Sequence, residues 1–277
     1  MLNRIAALLE NVPFESWHHP TKESCNDRLS VMVKLAELLE SELPRIQEEA
    51  IKGSSRIEYC KRSSFYPRGY YYPDPLADII VSNAPRGSIK KEDPGDAEYA
   101  YYFDEKDELS FVVEKEELKD LNSYRTRCEK LYSFNNMRVG IAFLLDDTNA
   151  DLILLDVLIE TRNVDRTEYA ISWYSVSSEG GLPFKADFSE VVSLEMLNGL
   201  PVKRSETLFI NEDFAAAFLG EASAEDDNEW FTMVFEPPTT VYELGYNEKG
   251  FPISMKCNGK PCPVGRKKRP VLSGMMK

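Results

Sequence analysis

Apolar residues near the start of the chain recur at the three- and four-residue spacing of amphipathic helices. Leu2, Ile5, Leu9 and Val12 fall on one helical face, which ends before Pro13. A second helix is predicted to begin at Asn26 or Asp27, because either side chain can cap a helix N-terminus. Its apolar face consists of Leu29, Met32, Val33, Ala36, Leu39 and Leu43, and continues after Pro44 through Ile46, Ala50 and Ile51 to Gly53.

From about Arg56 the pattern changes to short runs of Tyr, Val, Ile and Phe that are separated by Pro and Gly. This pattern is typical of strands and turns. Asp- and Asn-rich connections between consecutive runs are short, and they predict an antiparallel meander. The predicted strands are 99–103, 109–113, 131–145, 152–161, 167–176, 230–235, 241–246 and 251–257, with a short helix at 213–219.

The predicted fold class is therefore α+β, with N-terminal amphipathic helices packed on a large antiparallel β-meander sheet. The 277 residues exceed what one sizeable core needs. Residues 1–98 form a helical region with a Tyr/Arg-rich segment, and residues 99–257 form the sheet region, which we expect to share one core with the first. Residues 258–277 are predicted to be a flexible basic tail.

One short motif occurs twice, each time at a predicted hairpin tip. Phe103-Asp104-Glu105-Lys106 and Tyr246-Asn247-Glu248-Lys249 both read aromatic, Asp or Asn, Glu, Lys. Asp and Asn are favoured in such turns, so convergence on the same turn chemistry explains the motif better than duplication does. The chain here resembles the meandering sheets with aromatic-Asp-Glu hairpins of bacterial toxin-associated proteins, including immunity proteins. The resemblance covers two hairpins and assigns no functional residue.

Charge and composition narrow the classes of function. A net charge of −14 disfavours the whole molecule as a binder of nucleic acid or anionic membrane, since both attract an excess of Lys and Arg. The chain has no 18-residue apolar run, and the segment 1–12 carries Arg4 and Glu10, so we expect neither a membrane span nor a signal peptide. Its five scattered cysteines are typical of reduced thiols. These features together predict a cytoplasmic protein.

No motif for catalysis, a metal or a cofactor stands out. The two histidines, His18 and His19, are adjacent and lack the spacing of a metal or triad site. Residues 147–151 begin like a calcium loop, but Leu152 and Leu158 replace the required Gly and Glu, so a hairpin turn is favoured. Cys257 and Cys262 flank a turn and would need two further ligands for zinc. We predict no catalytic residue, no metal and no cofactor, although 47 acids leave a hydrolase with Asp or Glu pairs as an alternative.

The strongest functional signal is a charge division near the end of the sequence. Residues 205–248 contain eleven carboxylates and no Lys or Arg, whereas residues 249–277 contain eight Lys or Arg and no acid. Such a division predicts electrostatic recognition, either between the two segments or with a partner. We expect a non-catalytic intracellular protein-binding or inhibitor protein, similar to an immunity protein, whose acidic surface covers a basic partner. The candidate contact residues are Glu221, Glu225, Asp226, Asp227, Glu229 and Trp230.

A second candidate surface lies in the Tyr/Arg-rich segment between residues 56 and 91. Aromatic rings and guanidinium groups together bind protein surfaces, sugars and unstacked bases. This segment supports a nucleic-acid or glycan binding protein as a further alternative, although tyrosines that pack a sheet explain it better. Its candidate residues are Arg62, Arg68, Tyr70, Tyr71 and Tyr72.

Overall fold

The chain folds around a thirteen-stranded antiparallel sheet. A computed structural model describes residues 4–5, 7–8, 34, 38, 43–61, 68–80, 86–118, 123–134, 137–145, 152–162, 166–175, 185–210, 239–265 and 268–272. The continuous helices within these residues are α1 (Leu43–Lys52) and α2 (Ala77–Ile80), with a 3-10 turn at Gly69–Tyr71. The strands are β1 (Arg56–Cys60), β2 (Ile89–Lys90), β3 (Tyr99–Phe103), β4 (Leu109–Leu118), β5 (Ser123–Phe134), β6 (Met137–Leu145), β7 (Leu152–Arg162), β8 (Arg166–Ser175), β9 (Lys185–Leu197), β10 (Leu200–Ile210), β11 (Thr239–Tyr246), β12 (Pro252–Cys257) and β13 (Lys260–Cys262).

From β3 to β13 the strands lie side by side in chain order, and β1 and β2 complete the sheet beyond β3. The prediction of a sheet-rich α+β fold with an antiparallel meander is confirmed at this level. Both edge strands, β2 and β13, are only two and three residues long. Short edge strands offer few unpaired backbone groups to another chain, which limits edge-to-edge association.

The two faces of the sheet are covered by different parts of the chain. We call the face that carries Tyr101, Gly140 and Leu158 the front face, and the face that carries Phe111 and Ile141 the back face. Successive residues of a strand point to opposite faces, which assigns the other strand positions. Phe111, Cys128, Ile141 and Phe143 are buried on the back face, where α1 contacts β4 and itself buries Ile46 and Ala50.

A segment of the chain, residues 68–80, crosses the front face and is called the crossing segment below. Its Tyr71 packs with Tyr101 and Val112 at one end of the sheet. Towards the other end, Tyr72, Leu76 and Ile79 pack with side chains of β7, β9, β11 and β12, including Leu158 and Val192. A large part of the described core therefore lies between the front face and the crossing segment.

The two hairpins that contain the repeated motif have the same hydrogen-bonding pattern at their tips. The Oδ1 atom of Asp104 accepts hydrogen bonds from the amides of Lys106 and Glu108, both at 2.9 Å. The Oδ1 atom of Asn247 accepts from the amides of Lys249 and Phe251, both at 3.0 Å. The predicted hairpin tips are confirmed, and local Asp and Asn hydrogen bonding explains why the motif occurs twice.

Several expectations differ from the structure. The predicted strand 131–145 is two strands, β5 and β6, and strands β9 and β10 were not predicted. The tail is not flexible throughout: Lys260–Cys262 forms β13 against β12, and Lys268 pairs with Asp78 of α2. Residues 4–5, 7–8, 34 and 38 are helical, whereas the rest of the first predicted helix and most of the second, the helix 213–219 and the strand 230–235 lie outside the described residues.

Candidate functional site

Charged side chains are concentrated inside the molecule, between the front face and the crossing segment. Burial of charge is costly unless each group is paired and hydrogen-bonded, so such a cluster needs an explanation. The buried charged residues of the described chain are Arg68, Asp74, Asp78, Arg86, Glu129, Arg138, Glu160 and Arg204. They fall into two groups, one around Arg68 and one around Asp74 and Asp78.

The first group joins Arg68 of the crossing segment to strands β5, β6 and β7. The Nε and Nη2 atoms of Arg68 donate to Oε1 of Glu129 at 2.8 Å and 2.7 Å, and Nη1 donates to Glu160. Arg138 approaches Glu160 from the neighbouring strand, with Nε to Oε1 at 3.0 Å and Nη2 to Oε2 at 2.6 Å. Two cations and two carboxylates thus form a closed, neutral cluster, which we call the Arg68 cluster.

Two glycines make this cluster sterically feasible. A Cβ atom at Gly140 would lie under 3.0 Å from both Glu129 Oε1 and Arg68 Nη2, so only a glycine leaves room for the guanidinium over β6. Gly69 has a φ of 51°, and a Cβ there would meet the hydroxyl of Tyr101 at 2.8 Å. The chain at Arg68 itself is left-handed, with a φ of 62°. The backbone turns sharply here and directs the Arg68 side chain into the sheet.

The titration of the cluster reflects its charge balance. Burial lowers the pKa of Arg68, but Glu129 and Glu160 outweigh burial and raise it above the ordinary value. Burial likewise raises the pKa of Glu160, but Arg138 and Arg68 outweigh burial and hold it below the ordinary value. Both groups therefore stay charged at neutral pH.

The second group fixes the crossing segment to β10 and to the tail. Asp74 accepts from Arg204 Nε at 2.5 Å through Oδ2, and from the amide of Leu76 at 2.8 Å through Oδ1. Asp78 accepts from Arg86 Nε at 3.0 Å and also from Lys268. These contacts connect segments that are far apart in the sequence.

Arg86 also satisfies backbone groups of the crossing segment. Its Nη1 atom donates to the carbonyls of Tyr70 and Tyr72 at 3.2 Å and 2.6 Å, and its Nη2 atom donates to the carbonyl of Asp74. A segment that is buried with little regular structure leaves carbonyls without partners, and each unpaired one would cost free energy. One guanidinium therefore replaces the hydrogen bonds that a strand or helix would supply.

The arrangement is suited to holding the fold together and poorly suited to catalysis. The side chains of Arg68, Glu129 and Glu160 are 0 to 1% exposed, so no substrate reaches them in this structure. Glu129 Oε2 is buried and accepts no hydrogen bond from the described residues. Burial raises the pKa of the Cys128 thiol to about 12, which makes it an unreactive core side chain. In the described part of the chain, no group of three or more His, Cys, Asp or Glu is placed to hold a metal.

Most of the binding residues predicted from the sequence either lie outside the described residues or are buried. The whole acidic candidate set, Glu221, Glu225, Asp226, Asp227, Glu229 and Trp230, lies outside the described residues, as does Arg62. Arg68 is 0% exposed, Tyr72 2% and Tyr71 8%, so these three residues belong to the interior and supply no open binding face. Tyr70 is half-buried, and its backbone amide donates to the hydroxyl of Tyr101 at 3.0 Å.

The partners of Arg68 were not singled out from the sequence, although a signal was present. Glu160 directly follows the apolar run Val157-Leu158-Ile159, whereas Glu129 lies among other charged residues and gives no such signal. Gly140 lies in the middle of an apolar strand, where glycine often marks the close approach of another group. Only the strand register shows that these positions meet.

Comparisons with known proteins identify no relative: no family model, curated protein or solved structure matches this chain. Among the described residues, no helix has the length and apolar character needed to cross a membrane.

Proposed function

We propose that this protein is a non-catalytic binding or inhibitor protein, of the immunity-protein kind, that recognises a basic partner through the acidic segment 211–238. We name this stretch between β10 and β11 the acidic segment. Its carboxylates attract and orient a basic surface, and Trp230 supplies buried contact area. Complementary charge of this kind raises association rates and selects the partner.

The observation that carries the proposal is the balance of the interior charges. Arg68, Arg86, Arg138 and Arg204 are matched by Asp74, Asp78, Glu129 and Glu160, so these eight buried groups sum to zero. The whole chain has 33 cations and 47 acids; subtracting four of each leaves 29 and 43, so the remaining residues carry the entire −14. The surplus acid is therefore not required by the buried network.

A large part of that surplus lies in one stretch of sequence. The acidic segment contains no Lys or Arg, and its eight carboxylates belong to Glu212, Asp213, Glu221, Glu225, Asp226, Asp227, Glu229 and Glu236. The C-terminal cations do not all compensate it, because Lys268 is paired with Asp78 and Arg269 lies over the ring of Phe251. Uncompensated charge of one sign favours a partner of the other sign. The free thiols of Cys128, Cys257 and Cys262 fit the reducing, intracellular setting that we propose.

The two alternative functions gain less support from the described residues. A general acid of a hydrolase needs a carboxyl whose pKa is raised, whereas the pKa of the buried Glu160 is lowered. A nucleic-acid or glycan face would need exposed guanidinium and tyrosine groups, whereas Arg68 and Tyr72 are buried.

The proposal is tested by affinity capture from the lysate of the native host, at low and at moderately raised salt. The first variant changes Glu225, Asp226, Asp227 and Glu229 to Ser. The matched control changes the exposed Glu92, Glu105, Glu108 and Glu248 to Ser, which removes the same number of charges elsewhere. A stoichiometric basic protein that the intact chain and the control retain, and that the first variant or raised salt releases, is the expected result. Equal retention by all three chains, or no retained protein, would reject the proposal.

A further inference from the structure

Towards the hairpin tips, most side chains on the back face of strands β9 to β12 are polar and exposed or half-buried. Exposed or half-buried side chains on this face include Ser205 and Thr207 of β10 and Thr239 of β11. The hydroxyls of Thr207 and Thr239 lie 2.8 Å apart. This contrasts with the back face of β4 to β6, where Phe111, Cys128, Ile141 and Phe143 are buried.

On strands β9 to β12, four charges cross this face in a single row, and Arg166 of β8 extends the row by one cation, because it is opposite Glu195. Glu195 is opposite Lys203, Lys203 is opposite Glu243, and Glu243 is opposite Lys256, so the signs alternate from β9 to β12. The side chains of Glu195 and Lys203 are 54% and 37% exposed, with 2.8 Å between Oε1 and Nζ. Glu243 and Lys256 are also exposed. We call these four residues the charge row.

Two large apolar side chains flank the charge row on the side of the hairpin tips. Leu197 at the end of β9 is 60% exposed, and Ile253 near the start of β12 is 64% exposed. The register of β11 and β12 shifts between the pairs of Gly245 and Tyr246, which leaves Ile253 as an extra residue. Such a bulge accounts for the exposure of both Ile253 and Ser254, while Pro252 and Met255 are buried on the front face.

We propose that this face binds a second copy of the chain, forming a symmetric dimer. The charge row has an even number of alternating signs, so reversing its order exchanges every positive charge with a negative one. A two-fold axis parallel to the strands, between β10 and β11, reverses the order in the facing copy. Glu195 then faces Lys256 of the second copy, and Lys203 faces its Glu243. A two-fold interface requires a self-complementary surface, and this row meets that requirement.

The two exposed apolar residues, Leu197 and Ile253, are also placed in agreement with this two-fold axis. Leu197 and Ile253 lie on the outer strands β9 and β12 at about the same distance from the charge row. The two-fold axis therefore places Leu197 of each copy over Ile253 of the other. Packed sheets cross at about 30°, so the inner strands β10 and β11 stay nearest to their counterparts. The charges of Lys203 and Glu243 should therefore have the largest effect on the affinity of the dimer. The short edge strands disfavour the alternative of joining copies edge to edge.

The test uses two full-length variants, Lys203→Glu and Glu243→Lys, studied by sedimentation at physiological salt, where distant like charges are screened. Each variant alone places like charges opposite each other across the axis, twice per dimer. An equimolar mixture of the two restores opposite charges at every position of the row. Each chain is the same molecule alone and in the mixture, so a folding defect in either variant would not produce a difference between them.

We expect the intact chain to sediment as a dimer of twice 31.7 kDa. Each variant alone should dissociate at least about tenfold more readily, since like charges across an interface cost substantial affinity. The mixture should recover the dimer. A monomeric intact chain at every concentration, or a mixture that behaves as the average of its components, would overturn the proposal. The charge row shares no residue with the acidic segment, so this result does not depend on the proposed basic partner.

Discussion

At the scale of single residues, the space above Gly140 decides whether the Arg68 cluster can form. Gly140→Ala would push a methyl group against Glu129 and Arg68, neither of which can move into solvent. We expect a loss of about 2–4 kcal/mol in the free energy of unfolding, from overpacking and a disturbed buried ion pair. Urea unfolding followed by circular dichroism measures this loss.

The matched control is Gly245→Ala, which makes the same change in another strand. Its added methyl group would meet the side-chain hydroxyl of the exposed Ser254, which can rotate away. We expect a change below about 0.5 kcal/mol. Equal losses at Gly140 and Gly245 would show that strand glycines matter for backbone reasons alone and that the cluster does not require the space.

Glu160 gives the cluster a defined pH dependence. Its pKa in the folded chain lies below the ordinary value of 4.5, so its charged form favours the folded state. This contribution is present above about pH 4.5 and is lost as the pH falls through the folded-state pKa. Glu160→Gln should destabilise the protein by about 3–5 kcal/mol at pH 7, because it leaves Arg68 and Arg138 under-compensated.

The difference in the free energy of unfolding between wild type and Glu160→Gln should narrow as the pH falls from 4.5 through the folded-state pKa of Glu160. Urea midpoints measured across this range test the expectation. A difference that stays constant with pH would mean that Glu160 acts through packing or hydrogen bonding and that its charge contributes nothing.

At the scale of elements, strands rich in aromatic and aliphatic residues were predictable, including β7 with its buried Glu160, whereas the charged first part of β5 and the whole of β10 were not. The strand Tyr99–Phe103 was predicted with its observed bounds because aromatic residues dominate both of its faces. Strand β5 was recognised only from Leu131, because Arg125, Arg127 and Glu129 interrupt its apolar pattern. Local pattern contains no information about the partners that make such charges tolerable in a sheet.

The position of the crossing segment over the front face could not be predicted from the sequence, for a related reason. Tyrosine and arginine are common in binding surfaces, so Arg68 and the tyrosines of this segment suggested such a surface. The same side chains can also supply hydrogen bonds in a protein interior. Arg86 donates to three carbonyls of this segment, contacts that depend on a chain path that the sequence pattern does not reveal. Tight turns were different, because Asp104 and Asn247 form their hydrogen bonds within five residues.

At the scale of the whole molecule, the buried charges and the surplus of acidic residues have different roles. The eight buried charges of the described residues sum to zero and hold the crossing segment on the sheet, whereas the surplus of acid lies in the remaining residues. The charge division in the sequence was visible without a structure. The neutrality of the interior was not visible, because it depends on which four cations and four acids are buried.

The proposal that the acidic segment recognises a basic partner is tested most directly with a labelled peptide of alternating Lys and Ser. Its affinity for the protein is measured by fluorescence anisotropy at two salt concentrations. If the acidic segment is a localised recognition site, changing Glu225, Asp226, Asp227 and Glu229 to Ser should weaken binding by at least about tenfold, since the four charges act together on one ligand. Changing Glu92, Glu105, Glu108 and Glu248 to Ser should weaken it by less than about twofold. Equal weakening by both variants would contradict the account, because it would mean that the peptide responds to net charge and that no acidic recognition site exists.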